Sequence, residues 1–134
     1  MPDAFKFELV SPERLLVSGE VEQVLVPGAE GDMTVLAHHA PVLTTLRPGL
    51  LDIGLPGGEH QRYFIRGGFA EVGPSGLTVL AETAINLDEL DASQLAQAVR
   101  DAEEDVADAT EGAVRDRAQT KLDQLRQVQA TLNL

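Results

Sequence analysis

The residues best equipped for chemistry are few and badly spaced for it. Histidine occurs three times, at His38, His39 and His60. Neighbours on a strand point to opposite faces, so His38 and His39 cannot share one metal ion there. His60 stands alone beside a Gly-rich run, and no HxH pair exists to begin a three-histidine site. Cysteine is absent, which removes thiolate catalysis, cysteine-ligated zinc, iron–sulfur clusters and disulfides together. The sequence carries no GxxxxGK[ST] phosphate loop, GxSxG elbow, HExxH pair or GxGxxG turn. Carboxylates are plentiful, but a solvated acid is the default and no two are singled out as a proton donor and acceptor. Neither a metal site nor a cofactor is expected.

What remains are contact residues. Glu30-Gly31-Asp32 lies between two β-like segments and reads as a polar hairpin turn, or as a docking loop on a rigid scaffold. Gly67-Gly68 reads as a turn. The last third is electrically polarised: Asp91 to Glu111 holds a single base, Arg100, whereas Ala113 to the end holds Arg115, Arg117, Lys121 and Arg126 against Asp116 and Asp123. A net charge of -12 over 134 residues argues against nucleic-acid binding, which depends on clustered Lys and Arg. No run approaches the roughly 18 apolar residues of a membrane span. The start, Met1-Pro2-Asp3-Ala4-Phe5-Lys6, lacks the pattern of a targeting peptide.

The elements that position these residues follow from backbone chemistry. All seven prolines, and every glycine except Gly112, precede Asn86. Gly and Pro punctuate turns and break helices. Residues 1–86 therefore read as an all-β domain, a sandwich or flattened barrel of about ten short strands. Phe5-Lys6-Phe7-Glu8-Leu9 alternates as a half-buried strand should. Similar segments follow at 15–17, 21–26, 33–36, 50–55, 62–66, 69–72 and 77–81. Turns are expected at Pro27-Gly28, Pro48-Gly49, Pro56-Gly57-Gly58, Gly67-Gly68 and Gly73-Pro74-Ser75-Gly76.

Residues 87–134 read as an α-helical hairpin. Asp91-Ala92-Ser93-Gln94 resembles a capping box. Leu95, Ala98, Val99, Ala102, Val106 and Ala109 recur at helical spacing, and Thr110-Glu111-Gly112 makes a break. Val114, Ala118, Leu122, Leu125, Val128 and Leu132 form a second stripe. So short a connection requires antiparallel neighbours.

These features, taken in order, resemble the epsilon subunit of F-type ATP synthases. The matching stretches include Phe7-Glu8-Leu9-Val10-Ser11-Pro12-Glu13, Ser18-Gly19-Glu20-Val21-Glu22 and Val26-Pro27-Gly28-Ala29-Glu30-Gly31-Asp32. They continue with His39-Ala40-Pro41-Val42-Leu43-Thr44, Arg47-Pro48-Gly49, Gly67-Gly68-Phe69-Ala70-Glu71-Val72 and residues 77–84. The helical tail matches in architecture more than in residue identity.

The resemblance implies a non-catalytic rotor component of the central stalk, in the complex that couples proton transport to ATP synthesis. It implies that Glu30, Gly31 and Asp32 face the c-ring, and that Ser11, His39, Pro41, Leu43 and Thr44 lie near the gamma subunit. It also implies that the C-terminal helices reach the alpha and beta subunits and regulate ATP hydrolysis, with Arg115, Arg117, Lys121 and Arg126 as contacts to beta. The expected location is peripheral, on the cytoplasmic face of a bacterial inner membrane, without direct membrane insertion.

Two departures from the family pattern matter. His38-His39-Ala40-Pro41 stands where Gly-His-Ala-Pro is common. The run Leu90-Asp91-Ala92-Ser93-Gln94-Leu95 replaces the Ile/Leu-Asp-x-x-Arg-Ala of ATP-binding members, so no or weak ATP binding is expected. The competing reading is a free-standing β-sandwich interaction module with a recruiting helical hairpin.

Overall fold

The computed structural model describes residues 3–134. The chain divides into two compact units, Met1–Leu87 and Asp88–Leu134. The first is a β-sandwich built from one eight-stranded sheet: β1 Phe5–Val10, β2 Leu15–Val21, β3 Gln23–Gly28, β4 Gly31–Val35, β5 Val42–Thr45, β6 Gly49–Gly54, β7 His60–Gly73 and β8 Gly76–Asn86. The strand order is β2-β1-β8-β7-β6-β3-β4, with β5 also paired to β7. All of these pairings are antiparallel except that of β1 with β8.

Alternation selects the core. Phe7 and Leu9 on β1, Leu51 and Ile53 on β6, and Leu77, Val79 and Ala81 on β8 are all buried. Val21 on β2 and Val35 on β4 come from opposite ends of the strand order, yet belong to the same buried cluster. The sheet therefore folds over on itself around one apolar filling.

Against the sequence expectation of about ten strands, the structure has eight among the described residues, and one of them, β7, runs unbroken for 14 residues where two are expected. Gly67-Gly68 is not a turn; it lies inside β7. Both residues have positive φ, 70° and 103°, and a Cβ on Gly68 would stand 1.9 Å from the Leu80 carbonyl oxygen. Glycine here lets a strand bend without ending. The bend divides β7 between two partners on one edge: residues 60–65 pair with β6, and residues 69–72 with β5. Likewise Pro27-Gly28 lies within β3, and the reversal falls at Ala29-Glu30. The segment 21–26 is two strands interrupted at Glu22, and β5 is a strand that sequence alternation missed.

The second unit is an antiparallel pair of helices, α1 Ala92–Asp108 and α2 Ala113–Leu132. Asp91 and Gln94 close a capping box: the Asp91 carboxylate accepts from the Gln94 N–H, and Gln94 Oε1 accepts from the Asp91 N–H, both at 2.9 Å. Leu95, Ala98, Val99 and Ala102 are buried on α1, as are Leu122, Leu125 and Val128 on α2. Val114 departs from the expected stripe and is 60% exposed. It sits one residue into α2, after an N-cap Gly112 that makes no side-chain cap bond, where the first turn is least constrained.

Candidate functional site

Two surfaces of the β unit stand out as places of contact, and each includes some of the residues singled out in the sequence. The first is the tip of the β3–β4 hairpin. Gly28 pairs with Gly31, leaving Ala29 and Glu30 as a two-residue loop, both exposed. Asp32 is exposed as well, but it is engaged by the Arg47 guanidinium. The three tip residues thus stand together, with one carboxylate tied back to the scaffold.

The second surface is an apolar row across the outer face of the sheet. Val10 pairs with Leu15 on β2 and with Leu80 on β8; Leu80 pairs with Phe69 on β7, and Phe69 with Thr45 on β5. Neighbouring strands lie about 5 Å apart, so the row runs for roughly 20 Å across five strands. Leu15, Phe69 and Leu80 are 52%, 40% and 37% exposed. Leu43, one outward position along β5 from Thr45, is 64% exposed. Beside the row is a hollow of about 240 Å³ lined by Val10, Ser11, Pro12, Phe69, Leu80 and Glu82 among others. Contiguous exposed apolar side chains of this size mark contact surfaces.

The candidate gamma-facing residues distribute unevenly on this frame. Ser11 lies at the edge of the hollow, its N–H and hydroxyl both donating to the Arg14 carbonyl at 2.9 and 3.2 Å. Leu43 is on the outer face with the row. Thr44 pairs with fully buried Ala70, so it points to the opposite face, and its hydroxyl donates to the Thr45 carbonyl at 3.1 Å. His39 and Pro41 belong to the turn before β5, where His39 Nδ1 donates to the Ala40 carbonyl at 2.7 Å. Sequence inspection missed Leu15, Phe69 and Leu80. Phe69 and Leu80 carried a signal of phase, being large apolar residues out of step with buried Ala70 and Val72 and with buried Val79 and Ala81. Leu15 did not, for it shares the parity of buried Val21 and joins the row only through the register shift between Leu9 and Val10.

His38, where a glycine is common, adopts a left-handed conformation with φ 66°. Its Nε2 lies 3.3 Å from the Asp3 carboxylate, and both side chains are well exposed. His60 instead meets Asp52, Nδ1 to Oδ1 2.7 Å. Among the described residues no three His, Cys, Asp or Glu side chains gather into a metal-ligand group.

On the helices, Arg126 of α2 reaches Glu103 of α1 at 3.5 Å. Arg115, Arg117 and Lys121 are exposed along α2. At the head of α1 the Ser93 hydroxyl, and then the Gln94 N–H, donate to the Asp91 carboxylate and lower its pKa from the ordinary value of 3.8. No described helix is long and apolar enough to cross a membrane.

A β-sandwich with an apolar outer row and a charged tip, followed by a helical hairpin, carries the contact surfaces of a subunit that works within an assembly. The family model described as ATP synthase, Delta/Epsilon chain, beta-sandwich domain matches residues 4–87. The ATP synthase epsilon chain of Parvibaculum lavamentivorans is 51% identical over 132 residues, covering 98% of this chain and 100% of the relative. That of Mesorhizobium japonicum is 49% identical over 132 residues, covering 98% of each chain. Among solved structures, the cryo-EM structure of Euglena gracilis mitochondrial ATP synthase, OSCP/F1/c-ring in rotational state 1, contains a chain with TM-score 0.77 and 29% identity, covering 98% of this chain and 83% of that one. The chain belongs to the ATP synthase delta/epsilon family and, within it, to the epsilon chains.

Proposed function

We propose that this chain is a non-catalytic rotor element, held against gamma by the outer face of its β unit and resting on the c-ring through the β3–β4 tip. The observation that carries this reading is the row Leu15, Val10, Leu80 and Phe69, with Ser11 and Leu43 at its margins. Covering four such half-exposed side chains contributes about 1 kcal/mol each, roughly 4 kcal/mol before ordering costs. The tip presents acids and backbone rather than apolar groups, which suits a polar loop on the facing partner. A hydrogen-bonded sheet wrapped round one core is stiff, as an element passing torque must be. The solved c-ring assembly containing a similar chain supports this placement.

In this reading the subunit breaks no bonds itself and helps couple proton transport to ATP synthesis. It sits peripherally on the cytoplasmic face of a bacterial inner membrane, a setting its bacterial relatives support. Arg115, Arg117, Lys121 and Arg126 of α2 are its contacts to beta when the hairpin restrains hydrolysis. The free-standing interaction module is not favoured, because relatives of the same full length are ATP synthase chains.

The decisive variant places a charge in the row. Phe69→Asp is expected to weaken binding of the full chain to purified gamma by at least about tenfold, since a carboxylate would have to be desolvated in an apolar contact. Far-ultraviolet circular dichroism should stay unchanged, because Phe69 lies outside the core cluster. Unaltered gamma affinity would remove this face from the interface.

A further inference from the structure

The β3–β4 tip is joined to β5 and the β5–β6 connection by a seam centred on Arg47. The Ala29 N–H donates to the Thr45 carbonyl at 2.9 Å, and the Arg47 N–H to the Pro27 carbonyl at 3.1 Å. Gly28 and Leu46 form a bridge between these two bonds. The Arg47 side chain then turns back on the hairpin: Nη1 donates to the Gly28 carbonyl at 2.5 Å, and Nη2 to the Asp32 carboxylate. The seam is closely packed, for a Cβ on Gly49 would stand 2.8 Å from Pro27 Cβ.

This arrangement solves a mechanical problem. A two-residue hairpin loop is held by few bonds of its own and bends easily at its end. A guanidinium presents a rigid fork that can grip two acceptors at once. Here the fork grips the backbone on one side of the loop and a carboxylate on the other. The Arg47 side chain is 24% exposed, so solvent screens the pair less than it would a fully exposed one.

We infer that Arg47 is a positioning residue for coupling: by clamping Gly28 and Asp32 it makes the tip and β5 one body, and it leaves Glu30 as the tip's outward carboxylate. The inference rests on the proposed reading of the tip as the c-ring contact. Force entering at the tip then passes through Asp32, Arg47 and the backbone bonds of 27–29 into β5, which carries Leu43 on the gamma-facing side. Asp32 alone would be a second outward acid; paired with Arg47 it becomes part of the frame.

The test uses the assembled ATP synthase in inverted membrane vesicles, reading ATP-driven proton pumping per ATP hydrolysed, with Arg47→Ala, Arg47→Lys and Glu30→Lys. Amide exchange at residues 28–32 is read in parallel on the full chain. Losing a charged, partly buried hydrogen-bond pair should speed tip exchange about tenfold in Arg47→Ala. Pumping per ATP should fall at least about twofold, while the chain stays in the complex; Arg47→Lys, which keeps the charge without the fork, should recover part of both. Normal pumping by Arg47→Ala alongside defective Glu30→Lys overturns the role of Arg47 and leaves the ring-facing tip standing. Pumping unaffected by either substitution overturns the tip reading itself. A pumping loss without faster tip exchange, or with loss of the chain from the complex, also overturns the positioning role.

Discussion

Gln94 carries a question that single residues can answer. Where ATP-binding relatives of this family place an arginine, this side chain is spent on the start of α1, its oxygen accepting from the Asp91 N–H while the Asp91 carboxylate accepts from Gln94 and Ser93. A neutral amide closing a helix cap offers no cation to a triphosphate. Isothermal titration of ATP into the full chain is expected to show no micromolar binding; a dissociation constant in that range would contradict the reading. The capping box was legible because its spacing is local. His38 was harder: the departure from glycine was visible, but only backbone geometry shows that histidine accepts the left-handed conformation, as polar side chains of this kind do more readily than β-branched ones. Arg47 and Asp32 lie 15 residues apart, and no local pattern announces such a pair.

At the scale of elements, β7 shows what alternation can and cannot reveal. Its two halves each read as a strand, and the Gly67-Gly68 pair between them reads as a reversal under ordinary turn chemistry. The structure keeps both halves in register with β8, from Tyr63 opposite Asn86 to Gly73 opposite Gly76, so the glycines bend the strand and do not end it. Gly68→Ala is expected to destabilise the β unit by roughly 3 kcal/mol, from the clash with the Leu80 carbonyl and the positive φ together. Chemical denaturation monitored by circular dichroism measures this; a change below about 1 kcal/mol would mean that the bend tolerates a side chain. The apolar row was hidden for a related reason. One exposed Leu on a strand is ordinary, and only pairing across β2, β1, β8 and β7 reveals that Leu15, Val10, Leu80 and Phe69 align. Strand β5, four residues long with half-buried Val42 and Thr44 alternating with exposed Leu43 and Thr45, has too little hydrophobic contrast to stand out alone.

For the whole molecule, the division into a β part and a helical hairpin was written in the placement of Gly and Pro, since both constrain backbone directly. The assignment of partners was not derivable from composition. It came from the order of short motifs, and it gains support from the apolar row, the braced tip and full-length similarity to epsilon chains. The central claim is that this chain couples rotation to proton movement without performing chemistry. Its most direct test depletes the chain from membranes carrying the ATP synthase and measures ATP-driven proton pumping per ATP hydrolysed. The measurement is repeated after adding back the full chain or a version ending at Asp88. The account predicts that depletion lowers the ratio, that both versions restore it, and that only the full chain slows hydrolysis. Unchanged pumping on depletion, or hydrolysis of ATP by the purified chain alone, would contradict it.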